Sequence, residues 1–327
     1  MARVLTVVTI DDRLERRRIV VPCRTPHGSA SSGATPAHPG RRQAQGECFT
    51  GDMKVGVTTF ITDEGIRSAA LAKALEERGF DSLFLHEHSH VPVKRETPFI
   101  MGGELPRVYY RTLDPFVALS AAATVTDDLL LGTGVALPAQ RDVIHTAKEV
   151  ASLDLVSRGR VIFGVGTGWN REEMRDHGTD PRTRGALLDE RLTAMKEIWT
   201  KDEAEFHGRY VDFDPMFCWP KPVQDPHPPI YIGGDGQAAL ARVAAHGDGW
   251  MPHSADDPAR VRPQLDQLAE VAGDVPVIVA SVSPDPELIA AYAEAGADRL
   301  ALSLPTLPED ETLHVLDEFA TLVSDHL

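Results

Sequence analysis

The chain has 327 residues, a length that suits one large α/β barrel or two ordinary domains. With 42% hydrophobic and 25% charged residues it has enough apolar side chains for a sizeable core, which excludes wholesale disorder. Its formal net charge of -16 argues against general binding of nucleic acids or anionic membranes.

The cysteine usage and the hydropathy indicate the cellular setting. Cys23, Cys48 and Cys218 are widely spaced and odd in number, so they form neither a disulfide framework nor a zinc site. We therefore expect a reducing, cytoplasmic environment. No apolar run approaches the ~20 residues that a membrane-spanning helix needs.

Residues 1–52 differ in composition from the rest of the chain. They contain eight Arg, no Lys and five acidic residues, and the stretch 27–47 is polar and interrupted by Pro and Gly. The apolar run 4–10 is too short for a signal peptide, although an Arg-rich targeting arm remains an alternative. We expect a disordered leader or a mis-assigned start, with translation beginning naturally at Met53.

From Met53 onward, strand and helix patterns alternate eight times. Helix ends are marked by capping residues, such as Asp63 and Asp114 at the start and Gly79 at the end. The predicted strands are 55–60, 82–86, 129–135, 160–165, 230–232, 249–251, 277–280 and 299–302. The predicted helices are 64–78, 116–126, 143–157, 184–200, 237–245, 258–272, 286–295 and 309–323, with an excursion of the chain at about 205–229.

This alternation implies parallel strands joined by right-handed crossovers. Eight units in about 275 residues predict a (β/α)8 TIM barrel with loop insertions after strands two and four. A doubly wound open sheet is the structural alternative. In a barrel the chemistry lies at the carboxyl ends of the strands, so the unusual residues at those ends are the candidate functional residues.

The second strand ends in three histidines at alternate positions. His86, His88 and His90 share one face if the strand continues, and such imidazoles are able to bind one divalent ion. A general acid near neutral pH is a second interpretation of the same residues. The third is that two of the three are exposed loop histidines.

Glycines mark the ends of three other strands. Gly132 and Gly134 end the third strand, which is typical of a bulge or of a close approach of backbone to ligand. The fourth strand runs into a Gly-x-Gly-x-Gly pattern at 164–168, which is not the dinucleotide-binding fingerprint. After the fifth strand, the glycine-rich turn at 233–236 leads directly into a helix, an arrangement that favours phosphate binding over a plain turn.

Several of these motifs, in this order, resemble the bacterial luciferase-like superfamily. They are FDSLFLHEH at 80–88, LGTGV at 131–135, RGRVIFGVGTGWN at 158–170, PPIYIGG at 228–234 and AAHGDGW at 244–250. The resemblance covers residues 53–327 and is nearest to the F420-dependent oxidoreductases. It implies a TIM barrel, often dimeric, that binds a flavin or a deazaflavin at the carboxyl-end mouth.

The resemblance also implies roles for individual residues. His88 matches the family histidine that faces the ring as proton donor or electrostatic partner, and Glu87 matches a neighbouring acid that contacts the cofactor. Gly134 and Val135 match the position of a non-prolyl cis peptide against the ring. The remaining cofactor-binding matches are Leu137, Gly166, Thr167, Gly168, Gly233, Gly234, Gly236 and Gln237.

One position departs from the family pattern. In the sugar-phosphate dehydrogenases of this family a glutamate follows the Gly-Thr-Gly as proton acceptor, whereas Trp169 stands there in this chain. The apolar wall suits reduction of an activated alkene or imine by F420H2, with a proton from His88 or water. We expect Tyr109, Trp169 and Trp219 to shape the pocket for a small-molecule substrate, and a homodimer.

Three other functions compete with an F420-dependent oxidoreductase. An FMN-dependent luciferase-like monooxygenase shares the fold, and no residue decides between the two rings, which differ in oxygen chemistry. A metal-dependent hydrolase would use His86, His88 and His90, with His253 near the end of the sixth strand. A non-catalytic binding barrel is the fourth interpretation.

Overall fold

The structure, a computed structural model, describes residues 53–253 and 257–326. The expectation of a disordered leader or mis-assigned start at 1–52 falls outside these residues and stays a prediction. Within the described ranges, no helix is long and apolar enough to cross a membrane.

Eight parallel strands form the predicted barrel. They are β1 (Lys54–Thr59), β2 (Ser82–Leu85), β3 (Leu130–Thr133), β4 (Val161–Val165), β7 (Ile230–Gly233), β8 (Gly249–Met251), β9 (Ile278–Val282) and β10 (Arg299–Ser303). Their spatial order is β8-β7-β4-β3-β2-β1-β10-β9, and a parallel bridge between Trp250 and Val277 joins the two ends of the sheet. The doubly wound alternative is therefore wrong.

The remaining two strands, β5 (Glu203–His207) and β6 (Asp212–Phe217), pair as an antiparallel hairpin within the predicted excursion. The nine helices of the described residues are α1 (Ser68–Glu77), α2 (Pro115–Ala123), α3 (Val143–Ser157), α4 (Arg171–Asp176), α5 (Arg184–Thr200), α6 (Gln237–His246), α7 (Pro258–Ala272), α8 (Pro286–Ala295) and α9 (Glu309–Leu322).

Capping side chains explain where several helices begin. The Asp114 carboxylate accepts the Phe116 and Val117 N–H groups, and Pro115 occupies the first helical position of α2. The predicted cap of the first helix is wrong, because α1 begins at Ser68 and the Asp63 carboxylate binds the Arg111 guanidinium instead.

The barrel interior is filled by alternate side chains of its strands. Phe84, Ile162, Tyr231, Met251, Ile278, Ala280 and Ala301 form one buried cluster there. Gly132 makes room for this cluster, because a Cβ at that position would lie 2.3 Å from the Phe84 ring. A larger cluster packs the outer faces of the strands against the helices, which leaves the strand ends for functional side chains.

Candidate active site

Three strand ends meet around the side chain of Val135. The peptide bond between Gly134 and Val135 is cis, as the family resemblance implies. A Cβ on Gly166 would lie 2.7 Å from Val135 Cγ2, and a Cβ on Gly233 would lie 2.8 Å from Cγ1. Glycine at both positions therefore lets the ends of β3, β4 and β7 converge on one valine.

The predicted loop after β4 lies against the loop after β3. Gly168 has a φ of 74°, a value that favours glycine. A Cβ there would lie 3.0 Å from both Gln140 Nε2 and Met174 Cε, and 3.6 Å from Leu137 Cδ2. Thr167 is half-buried beside it. The structure thus brings together the matched residues of these two loops.

His88 is buried between a carboxylate and an indole. Its Nδ1 lies 2.7 Å from Glu173 Oε2, and Trp169 Nε1 donates to its Nε2 at 3.3 Å. An indole N–H is a donor only, so Nε2 carries a lone pair and the proton sits on Nδ1, where it is donated to Glu173. In this conformation His88 is therefore the neutral tautomer.

Glu173 was missed by sequence reasoning, which treated its segment as a loop. It lies on α4, whose N-cap Asn170 accepts the Glu173 N–H through Oδ1 at 3.4 Å. The Glu173 side chain is fully buried, and its Oε1 accepts the Ser89 N–H at 3.1 Å. The local signal was available: Asn170 followed by Glu at the second and third helical positions is a helix start.

Glu87 faces a different set of partners. Its Oε2 accepts the Leu137 N–H at 2.6 Å and its Oε1 accepts from Arg141 Nε at 2.8 Å. Burial raises the pKa of Glu87 to about 7, with Arg141 and the Leu137 N–H opposing the rise. Its charge therefore changes near neutral pH.

Arg141, also missed from the sequence, links three carboxylates. Besides Glu87 it binds Asp114, the cap of α2, and Glu149 of α3 at 3.0 Å. Its guanidinium also lies 4.7 Å from the centre of the Phe116 ring. Burial opposes the charge of Arg141, but the carboxylates outweigh it and raise its pKa. Arg141 thus ties the end of β2 to two barrel helices.

The three histidines after β2 do not form a ligand set. His86 stacks on Phe60 with 4.3 Å between centroids, and burial lowers its pKa to about 4. His90 binds Asp176 at 3.0 Å near the surface. Among the described residues, no three His, Cys, Asp or Glu side chains are placed to hold a metal. The alternative of a metal site on His86, His88 and His90 is not supported, because each ring has its own partners.

An aromatic cluster covers His88. Tyr109, from the loop after β2, lies 5.2 Å from the His88 ring and 6.3 Å from the Trp169 ring, between centroids. Phe99 packs edge-on against both Tyr109 and Trp169. The structure therefore places Tyr109 and Trp169 together beside His88, and their role in shaping a substrate pocket stays a prediction. Trp219 is 55% exposed and instead contacts Lys148 and Lys221.

The glycine-rich turn after β7 leads into α6 as expected. Gly234 and Gly236 have φ values of 111° and 80°, and the exposed Gln237 is the first residue of the helix. Their own N–H groups donate to Met251 O at 3.1 Å and to Gln264 Oε1 at 2.7 Å. A Cβ on Gly236 would meet no atom within 4 Å, so this turn borders open space.

A cavity of about 370 Å³ adjoins His88 and Glu87. Glu173, Arg141, His177 and Gln140 contribute to its lining. The Nε2 of Gln140 is buried, and so is the Nδ2 of Asn170, and neither has an acceptor among the described residues. Two buried donors near the strand ends thus lack partners.

Comparisons of the sequence with known proteins agree with this geometry. The family model for luciferase-like monooxygenases matches residues 53–276. An uncharacterized protein of Mycobacterium tuberculosis is 40% identical over 276 residues, which cover 82% of this chain and 98% of that protein.

Two more distant relatives have described activities. The F420-dependent hydroxymycolic acid dehydrogenase of Mycobacterium tuberculosis is 27% identical over 62% of this chain and 53% of its own. The FMNH2-dependent dimethylsulfone monooxygenase of Pseudomonas putida is 31% identical over 46% of this chain and 42% of its own.

Comparison of the structures supports the fold. A monooxygenase from Streptomyces bottropensis superposes with a TM-score of 0.70 at 21% identity, covering 84% of this chain and 99% of the other.

Proposed function

Because the chain belongs to the luciferase-like monooxygenase family, a family of enzymes, we propose that it is an F420-dependent oxidoreductase acting on a small organic substrate. The observation that carries the proposal is the buried Glu173–His88–Trp169 arrangement at the carboxyl end of the barrel. It supplies an imidazole able to exchange a proton and an aromatic wall beside it. The position after the Gly-Thr-Gly holds Trp169 and not a carboxylate that would act as a base.

The strand ends fit a deazaflavin. The buried, unpartnered amide of Gln140 belongs to a residue that lines the cavity beside His88 and is a donor for a carbonyl of such a ring, and the turn at Gly236 borders room for a phosphate. Val135 and Leu137 would lie along the ring. When bound, the deazaflavin supplies hydride chemistry, and it lacks the stable peroxide chemistry of a flavin.

The chain's own part in the reaction centres on His88. Glu173 accepts the Nδ1–H and, as a carboxylate, stabilises the imidazolium that forms when Nε2 also gains a proton. Nε2 is then the atom that donates the proton to a reduced substrate. The Trp169 N–H occupies that atom in the structure, so the indole has to release it first.

The wall around Nε2 favours an apolar acceptor. Tyr109, Phe99 and Trp169 contribute aromatic faces, while Glu173 is engaged with His88 and Glu87 with Arg141. Neither carboxylate replaces the missing base of an alcohol dehydrogenase. We therefore propose reduction of an activated alkene or imine as the direction of the reaction.

Titration of the protein with F420 and with FMN, followed by intrinsic tryptophan fluorescence, tests the coenzyme. We expect quenching by F420 at micromolar concentration, because Trp169 lies beside the proposed ring site. Saturable binding of FMN with no binding of F420 would contradict the proposal. That result would favour the monooxygenase function, which the relative from Pseudomonas putida has.

The role of His88 has its own test. His88→Ala should slow single-turnover oxidation of bound F420H2 by a substrate while leaving F420 binding within a few-fold. Unchanged single-turnover rates would remove His88 from proton transfer.

We also propose a homodimer. Val117 on α2 and Leu155 and Val156 on α3 are 66%, 50% and 48% exposed, and the two helices are neighbours in the barrel. Such an apolar surface is typical of a protein–protein contact. Light scattering after size-exclusion chromatography measures the mass directly, and a monomer at all concentrations would contradict this proposal.

A further inference from the structure

The long loop after β2 carries three arginines, and carboxylates neutralise two of them. Arg107 lies 2.7 Å from Glu64, and Arg111 binds the Asp63 carboxylate through both Nε and Nη2. Both carboxylates come from the loop after β1. These two arginines therefore hold one loop to the other and are already paired.

The third arginine, Arg95, has no carboxylate partner in the part of the chain that the structure describes. Its guanidinium makes neither an ion pair nor a hydrogen bond there, and Cζ lies 5.6 Å from the centre of the Trp169 ring. Lys94 and Glu96 on either side are exposed, whereas Arg95 is half-buried. A half-buried cation without a counter-ion thus lies on the aromatic wall beside His88.

The contact with the indole leaves the hydrogen-bonding capacity of Arg95 unused. A cation over an aromatic ring is attracted by the electron-rich face of the ring, and this attraction engages none of its N–H groups. The five N–H donors of the guanidinium have the fork geometry that matches a carboxylate. The aromatic platform also restricts the side chain, so less conformational entropy is lost when a ligand binds.

Neighbouring contacts hold the segment that carries Arg95. The Glu96 N–H donates to Glu172 Oε1 on α4 at 3.4 Å. Phe99 is 8% exposed and packs edge-on against Trp169. Arg95 is therefore held beside the indole by the packing of its own loop and not by a counter-ion.

The indole of Trp169 lies between this cation and His88. Its Nε1–H donates to His88 Nε2 at 3.3 Å, while the Arg95 guanidinium lies over the ring. A small molecule that replaced the indole N–H at Nε2 would therefore lie one side chain away from the guanidinium. A carboxylate on that molecule would neutralise Arg95, whereas an uncharged molecule would leave the cation without a counter-ion.

We propose that Arg95 binds a carboxylate of the substrate, which is accordingly an unsaturated organic acid. The inference rests on the proposed function and deepens it by naming the class of the reducible compound. The carboxylate pairs with the guanidinium through charge-assisted hydrogen bonds, and the apolar part of the acid lies against the rings of Phe99, Tyr109 and Trp169. The chain has a formal charge of -16, which repels small anions, so a local cation is needed for an acid to bind.

The carboxylate is a binding group and is not itself changed in the reaction. A hydride from the reduced deazaflavin and a proton from His88 Nε2 add to the two atoms of the double bond, which becomes a single bond. Arg95 is thus a specificity-determining residue, separate from the group that donates the proton.

The test compares ligands of the same shape that differ in charge. Isothermal titration calorimetry measures the binding of trans-cinnamate and trans-cinnamamide, and of 4-vinylbenzoate and 4-vinylbenzamide, to the full chain with and without saturating oxidised F420. The two pairs place the carboxylate at different distances from the double bond. The variants are Arg95→Gln, which removes the charge and keeps a polar side chain, and the control Lys94→Gln, which removes the same charge from the exposed neighbour.

We expect at least one acid to bind wild type about tenfold more tightly than its amide, a difference that one half-buried charge-assisted pair allows. Arg95→Gln should abolish this preference and leave binding of the amide within about twofold, and Lys94→Gln should keep the preference. If Arg95 only supports the indole, its substitution weakens acid and amide equally, which overturns the inference. Equal binding of acid and amide to wild type, or no binding of either pair, also overturns it.

Failure of the proposed function gives a different result. If F420 does not bind while an acid keeps a preference that depends on Arg95, the coenzyme assignment is refuted and Arg95 is supported as the receptor for a carboxylate. If F420 binds and neither acid is preferred over its amide, the coenzyme assignment stands and the carboxylate assignment is refuted.

Discussion

His88 Nδ1 and Glu173 Oε2 lie 2.7 Å apart, and the two side chains are 6% and 0% exposed. They come from different parts of the chain, since His88 follows β2 and Glu173 lies on the short helix α4. A buried carboxylate this close controls both the tautomer and the charge of the imidazole. The pair makes the function of His88 depend on a residue that need not touch any substrate.

Glu173→Gln should lower kcat at least tenfold, because it removes the negative charge that stabilises the imidazolium of His88 and keeps a similar shape. Steady-state kinetics, with kcat and KM determined separately, measure the loss.

The control for Glu173→Gln is Asp176→Asn. Asp176 lies on the same helix as Glu173, but its carboxylate pairs with the exposed His90. The control variant should leave kcat unchanged. An unaltered kcat in Glu173→Gln would refute the positioning role of the glutamate.

Trp169→Phe should act on the same histidine with the opposite sign. The indole N–H occupies Nε2, so its removal frees that atom to gain a proton and should raise the single-turnover rate by about fivefold, the equivalent of one ordinary hydrogen bond. Single-turnover kinetics check the change. Phe99→Leu alters the aromatic cluster without touching Nε2 and should produce a smaller change, so equal changes in the two variants would contradict this assignment.

Glu87 should make stability depend on pH. Burial raises its pKa from 4.5 to about 7, so the folded state holds a proton that the unfolded state has released. This contribution is complete below pH 4.5 and is lost as pH rises through about 7. Relative to Glu87→Gln, wild type should lose on the order of 2–3 kcal/mol of unfolding free energy between pH 4.5 and 8.

Urea denaturation of wild type and Glu87→Gln at several pH values measures that difference. The exposed Glu104→Gln serves as the control and should follow wild type throughout. Parallel stability curves for wild type and Glu87→Gln would show that the pKa of Glu87 is not raised.

Two glycine substitutions should differ in how far a second substitution, Val135→Ala, restores the stability that they lose. Gly166→Ala places a methyl group 2.7 Å from Val135 Cγ2, and Gly233→Ala places one 2.8 Å from Cγ1 and 3.1 Å from the Val165 carbonyl oxygen. Each should cost about 1–3 kcal/mol of unfolding free energy. Adding Val135→Ala should restore most of the loss for Gly166→Ala, measured against Val135→Ala alone, but less for Gly233→Ala, since the backbone oxygen remains. Equal rescue would contradict the described packing.

The sequence predicts the elements that local signals define. The helices α3, α5, α7 and α8 have the predicted limits, and capping aspartates at 142, 257 and 285 mark three of them. The predicted start of α1 is wrong, because the expected cap Asp63 binds Arg111, 48 residues away in sequence, and not the helix N-terminus. Propensity and pattern do not report such contacts.

The residues of the candidate site also fall into those that local sequence signals predict and those that depend on tertiary contacts. His88, Trp169 and Tyr109 are found together because they stand at strand ends or in the long loop after β2, positions that the barrel topology identifies. Glu173 and Arg141 were missed because their roles come from tertiary partners: an 85-residue separation to His88 in one case and three carboxylates from three elements in the other. Trp219 was expected in the pocket because of its residue type, but its side chain is exposed at the surface.

The aromatic cover over His88 has a consequence for proton exchange at its Nε2. A molecule that reaches Nε2 has to displace the indole N–H of Trp169 and the neighbouring ring of Tyr109, and it must offer apolar surface in return. Water has none to offer. Exchange of a proton between Nε2 and bulk solvent should therefore be slow until a molecule with apolar surface has entered.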